Sequence, residues 1–298
     1  MIGFLRRMLL RRRLRRLLEN RPMMHLPDDL RDPESVAVVC AGAEERVWAA
    51  LYIARALSER YGGERLHAIA PERDRELLST VIGSENLHPL PSDDEEGEMD
   101  GWTPTIAFHP HSEVTLEDAV LLASLSCPIV SAVEHPVTSL AVRTGPGLRL
   151  PRAVDVMCTL LDMQRPKDWR PTVPRNDAAR AKALLAPISG HSMPYMAATP
   201  GASRLLQRAG VEVPLKLVEL AGDESPVAEE SRAVRAAVVA GANAVATDDA
   251  VAWADACALG VPVVGLDARG RFPLWGSPPA QDEATFLEGW RDLLRRGW

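Results

Sequence analysis

The stretch TDDAVAWADACALGVPVVGL, Thr247 to Leu266, decides the fold. Ala244-Val245-Ala246 reads as a buried strand with Asp248 and Asp249 at its carboxyl end, followed by an alanine-rich helix. Gly260 suits the left-handed residue that closes such a helix, and Val261-Pro262-Val263-Val264 starts the next strand. Strand, acidic turn, helix and strand in this order make half of an open parallel sheet. Such sheets hold ligands at the carboxyl ends of their strands, which marks the two aspartates as a ligand position.

Upstream, Ser231 to Val239 has helical spacing, Leu215 to Leu220 and Tyr195 to Ala198 read as strands, and Ala178 to Leu185 as a helix. Downstream, Glu283 to Trp298 carries Phe286, Trp290, Leu293 and Leu294 on one side, as a helix closing a sheet face does. The first half of the chain alternates in the same way. Residues 36–39, 66–70, 105–108 and 128–133 read as strands; 44–61, 73–81 and 116–125 read as helices, the first with Val47, Leu51, Ala54 and Leu57 on one face. The alternation predicts an α/β protein with two Rossmann-like domains, residues 22–165 and 166–298, whose parallel sheets face a central cleft. Residues 165–176 form a Pro-containing connector, and residues 1–21 a basic N-terminal helix. The acidic run at residues 92–102 lacks the spaced oxygen ligands of a calcium loop and reads as a solvated connection.

With 298 residues and 46% hydrophobic content, the chain has enough apolar material for two ordinary domains. Its formal charge of −7 is uneven: residues 1–21 hold eight arginines and one glutamate, a net +7, leaving −14 on the remainder. The acidic remainder argues against an extended nucleic-acid surface. The basic helix has two readings: an anchor on anionic lipid, or a segment docked on a protein partner. Arg7, Arg11 and Arg15 intrude on its face of Phe4, Leu14 and Leu18. Cys40, Cys127, Cys158 and Cys257 stand apart in apolar runs and read as buried reduced thiols. With no cleavable signal and no apolar run of about 18 residues, the expectation is a cytoplasmic protein, peripheral at the inner membrane face if the helix is an anchor.

The opening stretch resembles the C-terminal signature of the ADP-heptose:lipopolysaccharide heptosyltransferases, glycosyltransferase family 9. That signature reads T-[ND]-D-[TS]-G-x-x-H-x-A-A-A-x-G-x-P. Thr247, Asp249, Ala256, Ala258, Gly260 and Pro262 match it without a gap, whereas its Thr-Gly pair is Ala250-Val251 and its histidine is Ala254. Residues 36–61, VAVVCAGAEERVWAALYIARALSERY, are similar to the family's first strand and helix, with Val39, Val47, Arg55, Ala56, Leu57, Arg60 and Tyr61 in place. The resemblance implies a GT-B fold and sugar transfer from a nucleotide-sugar with no obligatory metal and no cofactor.

It also implies site residues. The family's aspartate, the general base on the acceptor hydroxyl, falls on Arg46, which stays protonated and cannot take that proton. Glu44 and Glu45 are the neighbouring candidates to replace it. Thr199-Pro200-Gly201-Ala202-Ser203 keeps four residues of the family's H-P-G-A-S turn, and Gly201, Ala202 and Ser203 open a helix able to present N–H groups to an anion. The family's phosphate lysine falls near Gln207, with Arg204 or Arg208 as substitutes. Asp248 and Asp249 complete the nucleotide-sugar set; helix capping is the plain alternative for Asp248. His109-Pro110-His111-Ser112 is similar to the family's L-H-G-S segment and places His111 on the acceptor side, although an ordinary turn histidine explains it as well. The two histidines lack a third metal ligand nearby. Between Leu220 and Ser231 the chain is one helix and one strand shorter than the family pattern, while Leu274-Trp275-Gly276 keeps its closing turn.

Two functions fit. The vacated polar roles favour a degenerate heptosyltransferase-like scaffold that binds a nucleotide, a sugar or a protein partner. The alternative is an active glycosyltransferase acting on a cell-envelope saccharide or lipid-linked acceptor.

Overall fold

The computed structural model describes residues 2–19, 28–90, 102–111, 113–141, 157–159, 161–163, 170–189, 194–222, 225–270, 272 and 278–296. Most of the acidic run at 92–102, Ser112, part of the connector at 165–176, Asp223-Glu224 and Leu274-Trp275-Gly276 lie outside the described residues. The chain divides into two compact units, Met1–Asp168 and Trp169–Trp298.

Unit 1 runs α1 (Ile2–Glu19), α2 (Asp28–Arg31), β1 (Val36–Val39), α3 (Val47–Tyr61), β2 (Leu66–Ala70), α4 (Glu72–Leu78), β3 (Leu87–Pro89), β4 (Ile106–His109), α5 (Leu116–Ser124), β5 (Ile129–Ser131) and β6 (Leu140–Ala141). Its sheet has the order β3-β2-β1-β4-β5-β6, with every pair parallel. That is the doubly wound Rossmann order, in which successive connections change direction between β1 and β4. β1 occupies the middle because Val36, Ala37, Val38 and Val39 are apolar on both sides, and all four are fully buried.

α3 buries Val47, Leu51, Ala54 and Leu57 as expected, and also Trp48 and Ile53. α5 starts at a reciprocal cap: Asp118 N–H donates to Thr115 Oγ1 at 3.1 Å, and Thr115 N–H donates to Asp118 Oδ2 at 2.9 Å. α1 belongs to this unit, because Leu14, Leu17 and Leu18 pack against the cluster formed by Ala119, Leu122, Ala123 and their neighbours. The leucines repeat at helical spacing and overcome the arginine intrusions, since Arg11 and Arg15 turn outward at its edges.

Unit 2 runs α6 (Arg175–Ser189), β7 (Tyr195–Ala198), α7 (Pro200–Arg208), β8 (Lys216–Glu219), α8 (Arg232–Gly241), β9 (Ala244–Thr247), α9 (Ala250–Leu259), β10 (Val263–Gly265) and α10 (Glu283–Arg296). Its parallel sheet has the order β10-β9-β7-β8. Leu185, Val238 and Val245 belong to the core on one side, and Met196, Leu206, Phe286 and Trp290 to the core on the other. α10 buries Phe286 and Trp290 completely, which accounts for the stripe read in the sequence. α9 ends on Gly260, at φ 73°, in the left-handed cap expected of it. Arg232 of α8 and Asp255 of α9 form a bidentate buried pair, with Arg232 Nη1 donating to Asp255 Oδ2 at 2.7 Å. Cys40, Cys127 and Cys158 are buried free thiols, but Cys257 is only half-buried.

Candidate functional site

Each unit has a switch point, and each gathers polar side chains. In unit 1 the segments after β1 and β4 meet there. Arg46 ends a 3-10 turn, Glu44–Arg46, and its guanidinium folds back beneath the loop. Its Nη1 donates to Asp118 Oδ2 at 2.8 Å and to the Ala41 carbonyl at 3.3 Å, and its Nη2 donates to Glu113 Oε1 at 2.8 Å. Gly42 permits this: its φ is +86°, and a β-carbon there would sit 2.9 Å from Arg46 Nη1.

Burial opposes charge on both partners, yet the pairing outweighs it. Burial lowers the Arg46 pKa, but Asp118 and Glu113 raise it by more, so the group stays a cation. Burial raises the Asp118 carboxyl, but the hydrogen bonds from Arg46 and Thr115 hold it below its ordinary value. Glu44 and Glu45 are half-buried on the preceding turn.

His109 and His111 lie inside the unit, 0% and 1% exposed, with rings edge-to-face at 4.8 Å. His109 Nδ1 is 3.3 Å from Ser131 Oγ. Burial pushes both rings below the ordinary histidine value, His109 to about 4, so both are neutral near pH 7. His111 is therefore a core side chain rather than one turned to solvent.

In unit 2 the segments after β7 and β9 meet. Asp249 is the N-cap of α9, its Oδ1 accepting from Val251 N–H at 3.0 Å and Ala252 N–H at 2.9 Å. The cap is thus Asp249 and not Asp248. Asp248 turns toward α7: Thr199 Oγ1 donates to its Oδ1 at 2.5 Å, and its own N–H donates to Thr199 Oγ1 at 3.0 Å. Its carboxylate lies over Gly201, where any β-carbon would overlap it.

A cavity of about 480 Å³ opens here, lined by Gly201, Arg204, Gln207, Arg208, Asp248 and Glu283 with Leu205 and Leu266. It brings together Gly201, Arg204, Arg208 and Asp248 from the expected set. Ala202 and Ser203 are fully buried beneath it, and Asp249 does not line it. The lining holds two cations and two carboxylates, and Arg208 Nη2 stands 3.5 Å from Glu283 Oε1. The helix start favours an anion, and Asp248 already supplies one.

Sequence reasoning missed Asp118, Glu113 and Glu283. The Thr115-x-x-Asp118 spacing marks a helix start, which could have exposed Asp118; nothing local marks the other two. Among the described residues no group of three metal-ligating side chains forms. No helix among them is long and apolar enough to cross a membrane.

The two parallel α/β units have the GT-B fold that the sequence resemblance implies, as the comparison with solved structures shows. Solved structures that share it include the following three. Escherichia coli ADP-heptose lipopolysaccharide heptosyltransferase II aligns over 88% of this chain and 99% of its own, with a TM-score of 0.57 and 16% identity. E. coli heptosyltransferase WaaC with ADP-2-deoxy-2-fluoro heptose aligns over 87% and 99%, with a TM-score of 0.54 and 15% identity. A family 9 glycosyl transferase from Veillonella parvula DSM 2008 aligns over 93% and 100%, with a TM-score of 0.59 and 10% identity. No family model and no curated protein matches the sequence.

Proposed function

We propose that this chain is a heptosyltransferase-like binding protein that holds a nucleotide-sugar in unit 2 without transferring the sugar efficiently. The Arg46–Asp118 pair carries this reading. Transfer to a hydroxyl needs a group that accepts its proton, and the position where the resemblance puts that group is a guanidinium fixed by two carboxylates. The unit 2 cavity supports the binding half. Arg204 and Arg208 are the cations for a diphosphate, and Asp248 accepts hydroxyl hydrogen bonds from a ribose or sugar. Structures with the same fold are ADP-heptose enzymes, one with an ADP-heptose analogue, which favours that ligand class.

One observation favours the active alternative. Glu113 is held by Arg46 yet its side chain is 72% exposed, so a carboxylate stands beside position 46. In that reading Glu113 is the base.

Calorimetric titration with ADP, UDP, GDP and their sugar conjugates tests the binding half. Binding weakened in Arg204→Ala and Arg208→Ala is expected; heatless titrations with every ligand would remove it. Donor turnover that disappears in Glu113→Gln would replace the binding reading with the active one.

A further inference from the structure

We propose that α1 seats unit 1 on an anionic lipid surface through the face it turns away from α5. The leucine stripe fixes the orientation. Leu10, Leu14, Leu17 and Leu18 are half-buried, and the last three pack on the unit 1 core, so the helix cannot roll to offer them elsewhere. The opposite face carries Met8, Arg12, Arg15 and Arg16, three or four residues apart, with Leu9 and Arg11 at its margins. All six are exposed. Glu19 is the acidic residue on the same side.

Charge favours an anionic partner, since residues 1–21 hold +7 in a chain of −7. The apolar pair decides which anionic partner. Among the described residues, Met8 at 37% and Leu9 at 61% are the large hydrophobic side chains left exposed, and they are adjacent on this helix. A nucleic-acid backbone offers phosphates but no apolar depth for thioether and isobutyl groups, and the −14 carried by residues 22–298 opposes wrapping by a long polyanion. A bilayer interface takes both, with guanidinium groups at headgroup phosphates and the apolar pair at the acyl boundary.

Co-sedimentation of the full chain tests this, using vesicles of phosphatidylcholine alone and vesicles of phosphatidylcholine and phosphatidylglycerol in equal parts. Binding is expected to the anionic vesicles, reduced about fivefold for each arginine removed in Arg12→Ala and Arg16→Ala. Met8→Ser/Leu9→Ser reduces it further, whereas added salt weakens mainly the arginine contribution. These side chains point outward, so an unchanged unfolding midpoint shows that each variant is folded. Equal binding to both vesicle types, no sedimentation with either, indifference to the arginine variants, or retention on duplex DNA in preference to anionic vesicles would each overturn the proposal. The inference does not depend on the nucleotide-sugar reading, which concerns the other unit.

Discussion

Arg46 Nη1 lies 2.8 Å from Asp118 Oδ2, joining the start of α3 to the cap of α5 across 72 positions of sequence. Both residues are almost fully buried, so neither charge has water to fall back on. Removing Arg46 leaves the buried Asp118 carboxylate without its cation, held only by the Thr115 N–H. Arg46→Met is expected to cost about 3–5 kcal/mol, and Arg46→Met/Asp118→Leu much less than the sum of the single changes. Urea unfolding of the four proteins checks this; additive losses would show that the two charges do not stabilise each other.

Unit 1 is expected to lose stability in mild acid. His109 titrates near 4 in the folded chain because of burial, with Arg46 and His135 adding to the shift and Asp118 opposing it. The unfolded value is 6.5, so between these limits the unfolded chain binds more protons and stability falls as pH falls. The shift corresponds to on the order of 3 kcal/mol. His111 shifts the same way. Asp118 has a depressed pKa, so its contribution is lost at lower pH still. Urea midpoints followed from pH 7 to pH 4 test the sign, and His109→Asn should flatten the slope in that window.

The two adjacent aspartates should separate cleanly. Asp249→Ala removes the cap of α9 and is expected to cost about 1 kcal/mol of stability with nucleotide affinity unchanged. Asp248→Asn replaces the charged acceptor that the proposed site offers to a ribose hydroxyl, so ADP is expected to bind more weakly. Calorimetry and thermal unfolding on both variants decide; the reverse assignment of effects would restore Asp249 as the ligand residue.

In unit 2, Arg232→Leu is expected to cost about 3–5 kcal/mol because Asp255 remains buried, whereas Arg232→Leu/Asp255→Leu recovers most of it. Double-mutant analysis by denaturant unfolding measures the coupling.

Elements were legible where the signal was local. Val36–Val39, Ala244–Thr247 and the Phe286/Trp290 helix each announce themselves through continuous or periodic apolar residues. β3 and β6 did not, because three residues ending in proline and two residues at a sheet edge carry no period to read. Gly201 and Asp248 were both chosen from the sequence, and the reason they meet is topological: β7 and β9 are neighbours at a switch point. Which aspartate would cap and which would face the cavity was not legible, since it depends on a hydroxyl of Thr199 contributed by a different strand. The partners of Arg46 were beyond reach for the same reason, with Glu113 and Asp118 arriving from the far side of the sheet crossover.

The packing of Gly42 against Arg46 bears on which substitutions position 46 tolerates. Three positions interlock: a left-handed glycine makes room for a guanidinium, and the guanidinium neutralises an aspartate that also caps a helix. An aspartate at position 46 would set two buried carboxylates against each other, so Arg46→Asp requires Asp118 to change as well. The arrangement works as a lock, in which none of the three positions changes its charge or shape without unseating the other two.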